Sequence, residues 1–174
     1  MKKVILVRHG KSSWDDPDLD DHDRPLNPRG RGAVPVISQW LASRGHRPDL
    51  VLCSSSQRTR ETASLLNATF PEAPQPIYEE TLYHAPPKAM LAHLRAIGPN
   101  IGSVMIIGHN PGLSALTRKL AGGTIRPRCA RAFTHFPTAA AAVFTAELED
   151  WRDLGYGQAA FVDFARPREL AAAQ

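Results

Sequence analysis

Short apolar runs alternate along the chain with longer segments in which apolar residues recur at helical spacing. The apolar runs predict strands at residues 4–7, 49–53, 77–78 and 103–107. The segments between them predict helices at about residues 28–43, 57–69, 86–97 and 113–120. Strands that are apolar throughout and alternate with helices indicate an α/β fold, in which a mainly parallel sheet has helices on both faces.

The last third of the chain has a different pattern. Residues 139–147 and 159–165 resemble two strands joined through a segment around Trp151, with no helix between them. We interpret them as an antiparallel hairpin at one edge of the sheet, near the C-terminus. The sequence contains no linker or internal repeat, and 174 residues suffice for one full-sized core. A single domain is therefore predicted over residues 1–174.

Two of the predicted helices begin with capping signals. Asn27 followed by Pro28 supplies an N-cap and a first helical residue of fixed φ, and Gly45 ends the same helix. The serines at 54–56 are expected to cap the next helix. Pro35 removes one backbone hydrogen bond from the first helix, which predicts a kink or a later start.

Residues 11–26 form a long polar segment rich in aspartate. Connections of this length in small domains are usually functional or disordered, and the embedded Trp14 and Leu26 favour an ordered loop that lies over the domain. The Asp and His residues could form a metal site. A solvated acidic loop whose charges balance nearby arginines is the preferred interpretation, so no metal ligand is assigned.

The composition is that of an ordinary soluble protein, with 43% hydrophobic and 22% charged residues. No apolar run is long enough to span a membrane, and the run near Met1 is too short for a signal peptide, so a cytoplasmic location is predicted. The net charge of +4 comes from scattered basic residues, which suits an enzyme of phosphorylated substrates better than nucleic-acid binding. Cys53 and Cys129 lack metal or redox spacing and are expected to be reduced thiols.

Three of the predicted strands end in polar residues of one chemical kind. The first ends in Arg8-His9-Gly10, the second in serines that lead to Arg58, and the fourth in Gly108-His109-Asn110. The carboxyl ends of parallel strands share one edge of the sheet, where ligands bind in open α/β folds. Helix N-termini at the same edge favour anions. This set predicts a phosphoryl-binding pocket, because phosphoryl transfer mainly requires positioning and charge stabilisation.

These motifs resemble the signature of the histidine phosphatase superfamily, which also contains the cofactor-dependent phosphoglycerate mutases. The resemblance covers nearly the whole chain. The short length, the Asp23–Asn27 and Leu82–Ala85 stretches and the segment around Trp151 are most similar to the SixA-type phosphohistidine phosphatases. The family resemblance implies a phosphoglycerate mutase-like fold and a phosphatase that needs neither metal nor cofactor.

The resemblance also implies a role for individual residues. His9 matches the nucleophile that becomes phosphorylated, Arg8 and Arg58 match the arginines of the pocket, and His109 matches the histidine that donates to the phosphoryl oxygens. Ser12 falls where a hydroxyl can approach the phosphate. Physical chemistry agrees, because two nearby guanidinium groups lower the pKa of His9, and a backbone carbonyl that accepts from its other nitrogen would fix the tautomer.

Glu80 is the best positional match to the acidic residue that protonates the leaving alcohol in phosphomonoesterases of the superfamily. Glu79 beside it is an alternative, and a plain surface carboxylate is the competing interpretation. An alkoxide must be protonated as it leaves, whereas an imidazole departs far more easily, so a phosphohistidine phosphatase tolerates a poorly placed acid. His84 could reach the pocket, but a structural hydrogen bond is the preferred interpretation.

Protein phosphohistidine is the preferred substrate, because the chain has no insertion that could form a lid. An open, shallow site suits a phosphohistidine presented by a phosphotransfer domain. A small phosphomonoester is the alternative substrate, and a module that binds a phosphorylated partner without turnover is the alternative of another class. Neither a nucleic acid nor a membrane is expected as a partner.

Overall fold

One seven-stranded sheet forms the centre of the protein in a computed structural model that describes residues 1–172. Its strands are β1 (Lys2–Arg8), β2 (Leu50–Ser54), β3 (Ile77–Glu79), β4 (Ser103–Gly108), β5 (Ala121–Ile125), β6 (Ala141–Ala146) and β7 (Ala159–Ala165). The α-helices are α1 (Pro28–Ser43), α2 (Gln57–Thr69), α3 (Pro87–Arg95), α4 (Gly112–Leu120) and α5 (Pro167–Ala172). The strands lie in the order β3-β2-β4-β1-β6-β7-β5.

The centre of the sheet confirms the mainly parallel arrangement. Strand β1 pairs in parallel with β4, and β2 and β3 continue in parallel beyond it. On its other side β1 pairs antiparallel with β6, and β6 and β7 form the predicted antiparallel pair. Its predicted place at the edge of the sheet is wrong, because β5 pairs with the outer side of β7. The outermost strand, β5, pairs in parallel with β7. The apolar pattern did not predict β5, because its sequence begins Ala121-Gly122-Gly123 and it is half-buried to exposed.

The core is divided by the sheet into two layers. Val4 and Leu6 of β1 face the layer beneath α3 and α4, whereas Ile5 and Val7 face the layer beneath α1 and α2. Successive side chains of a strand point to opposite faces, so a strand covered on both sides is apolar at every position. Each such buried side chain contributes about 1.5–3 kcal/mol relative to exposure. The apolar runs therefore identify the strands that lie deepest.

Helix α1 begins where the sequence predicts. The side chain of Asn27 accepts a hydrogen bond from the Gly30 amide at 2.8 Å, and Pro28 is the first helical residue. Pro35 lies inside the helix, which continues through it to Ser43, so the alternative of a later start is wrong. Gly45 follows the helix with φ of 73°, a conformation that glycine adopts at little cost.

The loop of residues 11–26 is anchored to the domain at both ends. Ser12 and Leu26 form an isolated antiparallel bridge, and the buried Leu26 amide donates to Glu61 Oε2 at 3.1 Å. The Trp14 ring packs on the Arg24 guanidinium at 3.5 Å. Within this loop, Asp21–Asp23 form a short 3₁₀ turn. The loop is therefore ordered over the carboxyl ends of the strands.

Two further observations bear on the predictions from composition. Each helix within residues 1–172 is too short or too polar to traverse a bilayer. Cys53 and Cys129 are both free and buried, as expected for reduced thiols, and burial raises the pKa of the Cys53 thiol to about 12.

Candidate active site

The three predicted strand ends meet at one cleft. The cleft has a volume of about 350 Å³ and lies at the carboxyl ends of β1, β2 and β4. Its lining comprises Arg8, His9, Lys11, Ser12, Trp14, Asp21, Arg24, Arg58, His84, His109, Asn110 and Thr138. Five predicted site residues are among them, and Glu80 is not. The parallel topology of β1, β2 and β4 explains the convergence of residues that are 100 positions apart in sequence (His9 and His109).

His9 follows β1 and is buried, with 7% of its surface exposed. Its Nδ1 lies 2.6 Å from the carbonyl oxygen of Gly10. A carbonyl can only accept, so Nδ1 carries the proton and Nε2 keeps its lone pair. The pKa of His9 is lowered to about 3, chiefly by burial and in smaller part by repulsion from Arg58, Arg8 and Arg24. His9 is therefore neutral at physiological pH, with burial as the main cause where the sequence suggested the arginines.

Local hydrogen bonds keep the turn after β1 in place. The amide of Gly10 donates to Thr62 Oγ1 at 3.0 Å, and the amide of Ala139 donates to the carbonyl oxygens of Arg8 and His9. Thr62 lies on α2, whose N-terminus is capped by the side chain of Ser56. The Ser-x-x-x-Arg-Thr-x-Glu-Thr stretch therefore carries Arg58 and also holds the His9 turn.

Arg58 lies on the first turn of α2 and is 2% exposed. Its Nη1 donates to the Asp21 carbonyl oxygen at 2.6 Å, and its Nη2 donates to the Asp21 carboxylate at 2.9 Å. Arg8 is anchored through Nη1 to the Phe136 carbonyl oxygen at 3.1 Å. The Nε atoms of both arginines are buried and have no hydrogen-bond partner within residues 1–172. A buried donor without a partner lowers the stability of the folded state by about 1–3 kcal/mol, so holding these two cations at the cleft is destabilising.

His109 follows β4 and is 3% exposed. Its ring lies 5.2 Å from that of His9, its Nε2 is 2.7 Å from Ser54 Oγ, and its Nδ1 is 3.5 Å from Arg58 Nη2. The pKa of His109 is lowered to about 2, chiefly by burial and in smaller part by His9, Arg58 and His84. The Arg58 guanidinium can only donate, so in this arrangement Nδ1 accepts and Nε2 carries the proton, which it donates to Ser54 Oγ.

The remaining two predicted residues differ in position. Ser12 is buried and lines the cleft together with His9, and its approach to a phosphate stays a prediction. Glu80 begins a 3₁₀ turn directly after β3, and its side chain is exposed and lies outside the cleft. Strand β3 lies at the edge of the sheet, next to β2. The 3₁₀ turn follows it, and His84 is the first residue of this segment that lines the cleft. The structure thus does not bring Glu80 to the other five predicted residues, and its role as an acid stays a prediction.

Two cleft residues, Asp21 and His84, were not predicted as functional. Asp21 Oδ2 contacts Arg58 Nη2, His84 Nε2 at 3.0 Å and the Tyr83 hydroxyl, and Oδ1 accepts from Arg24. These hydrogen bonds and the Arg58 charge hold the pKa of Asp21 well below its usual range. The acidic loop does balance arginines, as the sequence indicated. The sequence offered a signal in the aspartate-rich loop but no basis for choosing Asp21 among its neighbours.

The arrangement joins a neutral imidazole with a free Nε2, two fixed guanidinium groups and a second histidine. Guanidinium groups match the oxygens of a phosphoryl group, and an imidazole nitrogen can form a bond to phosphorus. In the described residues the cleft thus contains the parts for transfer of a phosphoryl group to His9.

Comparisons with known proteins agree with this chemistry. A family model described as the histidine phosphatase superfamily (branch 1) matches residues 4–83. The uncharacterized protein Rv1276c of Mycobacterium tuberculosis is 37% identical over 164 residues, which cover 93% of this chain and 100% of that protein.

Solved structures extend the similarity to the whole fold. A structure from Agrobacterium tumefaciens, provisionally identified as the phosphohistidine phosphatase SixA, is 29% identical with a TM-score of 0.80, covering 95% of this chain and 98% of that one. The protein histidine phosphatase SixA complexed with tungstate shares the fold, with a TM-score of 0.78, 24% identity and coverage of 97% and 99%. The chain belongs to the histidine phosphatase superfamily, in its SixA-type branch.

Proposed function

We propose that this protein is a metal-independent phosphatase that hydrolyses phosphohistidine on other proteins through a phosphorylated His9. The proposal depends on one observation, the hydrogen bond that His9 Nδ1 donates to the Gly10 carbonyl oxygen. It leaves Nε2 as the free nucleophile in a cleft that also contains Arg8 and Arg58. The cationic side chains supply the charge stabilisation that phosphoryl transfer needs. A cytoplasmic location is part of the same proposal.

The reaction has two steps. First, His9 Nε2 attacks phosphorus, the bond from phosphorus to the leaving group breaks, and the leaving atom keeps the electron pair and takes up a proton. Then a water oxygen attacks the phosphorus of phospho-His9, the P–N bond breaks, and its electron pair returns to Nε2. Arg8 and Arg58 stabilise the charge on the phosphoryl oxygens in both steps.

His109 and Ser12 complete the proposed phosphoryl site. His109 donates to a phosphoryl oxygen when its proton lies on Nδ1 and not on Nε2; Nδ1 then gives up its contact with Arg58 Nη2, and the Ser54 hydroxyl donates to Nε2 across the 2.7 Å contact. The Ser12 hydroxyl contributes a further donor from the cleft wall. These roles require no titration of His109, only a choice between its two neutral tautomers.

Protein phosphohistidine is the favoured substrate for two reasons. An imidazole departs from phosphorus more easily than an alkoxide, so hydrolysis of phosphohistidine depends less on an acid that protonates the leaving group. The identity of 29% to a structure that carries the SixA name supports the same class. A small phosphomonoester is the second candidate, and the observation in its favour is the position of His84 at the cleft, where an imidazole could supply the proton that an alkoxide requires.

The test compares kcat/KM for a phosphohistidine-bearing phosphotransfer domain with kcat/KM for an alkyl phosphate, on one preparation. We expect a ratio of at least about 100, which corresponds to a difference of about 2.7 kcal/mol in transition-state stabilisation. A ratio below one would overturn the substrate assignment. Rapid quench with mass spectrometry should detect phosphate on His9, and turnover without it would overturn the mechanism.

A further inference from the structure

The geometry points to His84 as the group that protonates the leaving atom and later deprotonates the attacking water, with Asp21 as the residue that positions it. This inference rests on the proposed function, since it needs a phosphoryl group on His9. It assigns the proton-transfer role to a histidine of the Leu82–Ala85 stretch and not to Glu80, which was the candidate from sequence.

His84 has one nitrogen anchored and one available. Its Nε2 lies 3.0 Å from Asp21 Oδ2, whereas its Nδ1 makes no hydrogen bond within residues 1–172. The side chain is 47% exposed and lines the cleft together with His9. A carboxylate that holds one imidazole nitrogen stabilises the imidazolium form, which leaves the other nitrogen for proton transfer.

The backbone holds His84 in place through an uncommon conformation. Its φ is 50°, in the left-handed region that few residues other than glycine adopt. The next carbonyl, that of Ala85, presses on the start of α4, where a Cβ added to Gly112 would lie 2.0 Å from the Ala85 oxygen. The His84 ring lies 4.8 Å from that of His109. The position of His84 at the cleft is thus accompanied by its own uncommon backbone conformation and by close packing of the residue that follows it.

Asp21 is itself fixed by the phosphoryl-binding side of the site. Arg58 donates to both its carbonyl oxygen and its carboxylate, and Arg24 donates to the other carboxylate oxygen. Because these partners keep Asp21 ionised, it cannot donate the proton itself. It can orient His84 and offset the positive charge that His84 carries when protonated. Arg58 thereby connects the phosphoryl site to the proton donor.

The proton balance of the two steps follows. As His9 Nε2 bonds to phosphorus, the leaving oxygen or nitrogen takes the proton from His84 Nδ1 and departs neutral. His84 is then neutral, and its Nδ1 lone pair accepts a proton from the water that attacks phospho-His9. The second step restores the protonated His84 and the free His9, so no other acid or base is consumed.

Two other groups could be considered for this role. Glu80 is exposed and outside the cleft. The Tyr83 hydroxyl donates to Asp21, and its pKa is raised by burial and by the Asp21 carboxylate, so it is a poor acid. His84 combines a position in the cleft with a nitrogen that has no other hydrogen bond, which favours it over both.

The experiment measures how much His84→Asn costs as the leaving group becomes poorer. Asparagine tolerates positive φ, so the backbone is not further strained. The substrates are dinitrophenyl, p-nitrophenyl, phenyl and methyl phosphate. We expect a loss of less than about threefold for dinitrophenyl phosphate, which leaves without a proton, rising to about 10²–10⁴-fold for methyl phosphate. Asp21→Asn should show the same dependence on a smaller scale.

His93→Asn is the matched control, because His93 is also bonded to a neighbouring side chain, the hydroxyl of Thr81, but lies outside the cleft. An equal loss of activity across the four substrates, or none, would overturn the inference, as would a leaving-group-dependent loss in Glu80→Gln or Tyr83→Phe instead. A failure of the wild-type protein to form phospho-His9 would count against the proposed function and is scored separately by mass spectrometry.

Discussion

Two carboxylates in this protein each meet a cluster of basic side chains, and the two clusters differ in where the fold puts them. Asp163 lies on β7 with its side chain 5% exposed. It accepts hydrogen bonds from Arg44 at 2.9 Å, His46 at 3.0 Å and Arg128 at 3.1 Å. These partners come from the end of α1, the segment after it and the segment after β5. The Asp163 cluster therefore ties separate parts of the domain together.

Asp21 has equivalent partners but a different position. Its side chain is 44% exposed, and it lies on a loop above the carboxyl ends of the parallel strands. Arg58 and His84 reach it from the cleft that contains His9. The comparison teaches that an Asp–Arg–His cluster is by itself no sign of an active site. What separates the two is that Asp21 lines a cleft together with His9, an imidazole whose Nε2 is free.

The largest expected difference between the two regions comes from replacing one histidine in each, His9 in the cleft and His46 at the Asp163 cluster. His9→Asn should lower turnover by at least about 10⁴-fold, because no other group in the cleft offers a nucleophilic nitrogen aligned by a backbone carbonyl. His46→Asn, at the Asp163 cluster, should leave kcat within about twofold in the same steady-state assay. Substantial turnover by His9→Asn would show that the cleft does not act through a covalent intermediate.

A smaller effect is expected from the arginines. Arg58→Ala should lower kcat by about 10²–10³-fold, or 2.7–4 kcal/mol, since it removes one fixed donor to the phosphoryl oxygens. Arg44→Ala, which removes an arginine from Asp163, should leave kcat unchanged. Parallel kinetics of the two variants on phenyl phosphate check this difference, and similar losses in both would mean that charge at a distance, not contact, decides the rate.

For stability we expect the opposite order, in which replacing Asp163 lowers the free energy of unfolding more than replacing Asp21 does. Asp163→Asn should lower the free energy of unfolding by about 2–3 kcal/mol, because a buried charge-assisted network loses its centre. Asp21→Asn should cost less than about 1 kcal/mol, since its ion pairs are partly solvated. Urea denaturation of both variants measures the difference. A larger cost for Asp21→Asn would indicate that the loop of residues 11–26 contributes to the core.

The last prediction concerns the pH dependence of stability. The pKa values of His9 and His109 are lowered to about 3 and about 2, while the unfolded chain binds protons near pH 6.5. The unfolded state therefore binds more protons between these limits, and stability falls as pH decreases from about 6.5 to 3. Each histidine contributes up to about 1.4 kcal/mol per pH unit.

The measurement is a series of urea titrations between pH 7 and pH 4. His9→Asn should flatten the slope of unfolding free energy against pH, whereas His93→Asn should not. An unchanged slope in His9→Asn would indicate that His9 titrates near its ordinary pKa and that the cleft is more hydrated than its burial implies.

Most of the architecture could be predicted from the sequence because the strong signals are local. The apolar runs identified β1, β2 and β4, and the caps at Asn27 and Ser56 located the starts of α1 and α2. The weak strand β5 could not be predicted, since its pairing with β7 comes from a long-range contact and its own residues show no apolar pattern.

The site residues also differ in whether the local sequence could predict them. Arg8, His9, Arg58 and His109 stand directly after strands or in the first turn of a helix, where parallel topology forces convergence. Asp21 and His84 lie in irregular segments, whose side-chain directions depend on contacts with other parts of the chain. For the same reason sequence position alone pointed to Glu80, whereas the folded turn carries His84 into the cleft.

By itself the sequence determined the class of fold, the order of the main elements and the four basic residues at the strand ends, because periodicity and strand termini are properties of neighbouring positions. Only the tertiary structure decided which carboxylate meets Arg58, which tautomer His9 adopts and which residue after β3 reaches the cleft. Those choices depend on hydrogen bonds and packing between segments far apart in the chain, such as Asp21 with Arg58 and Ala85 with Gly112.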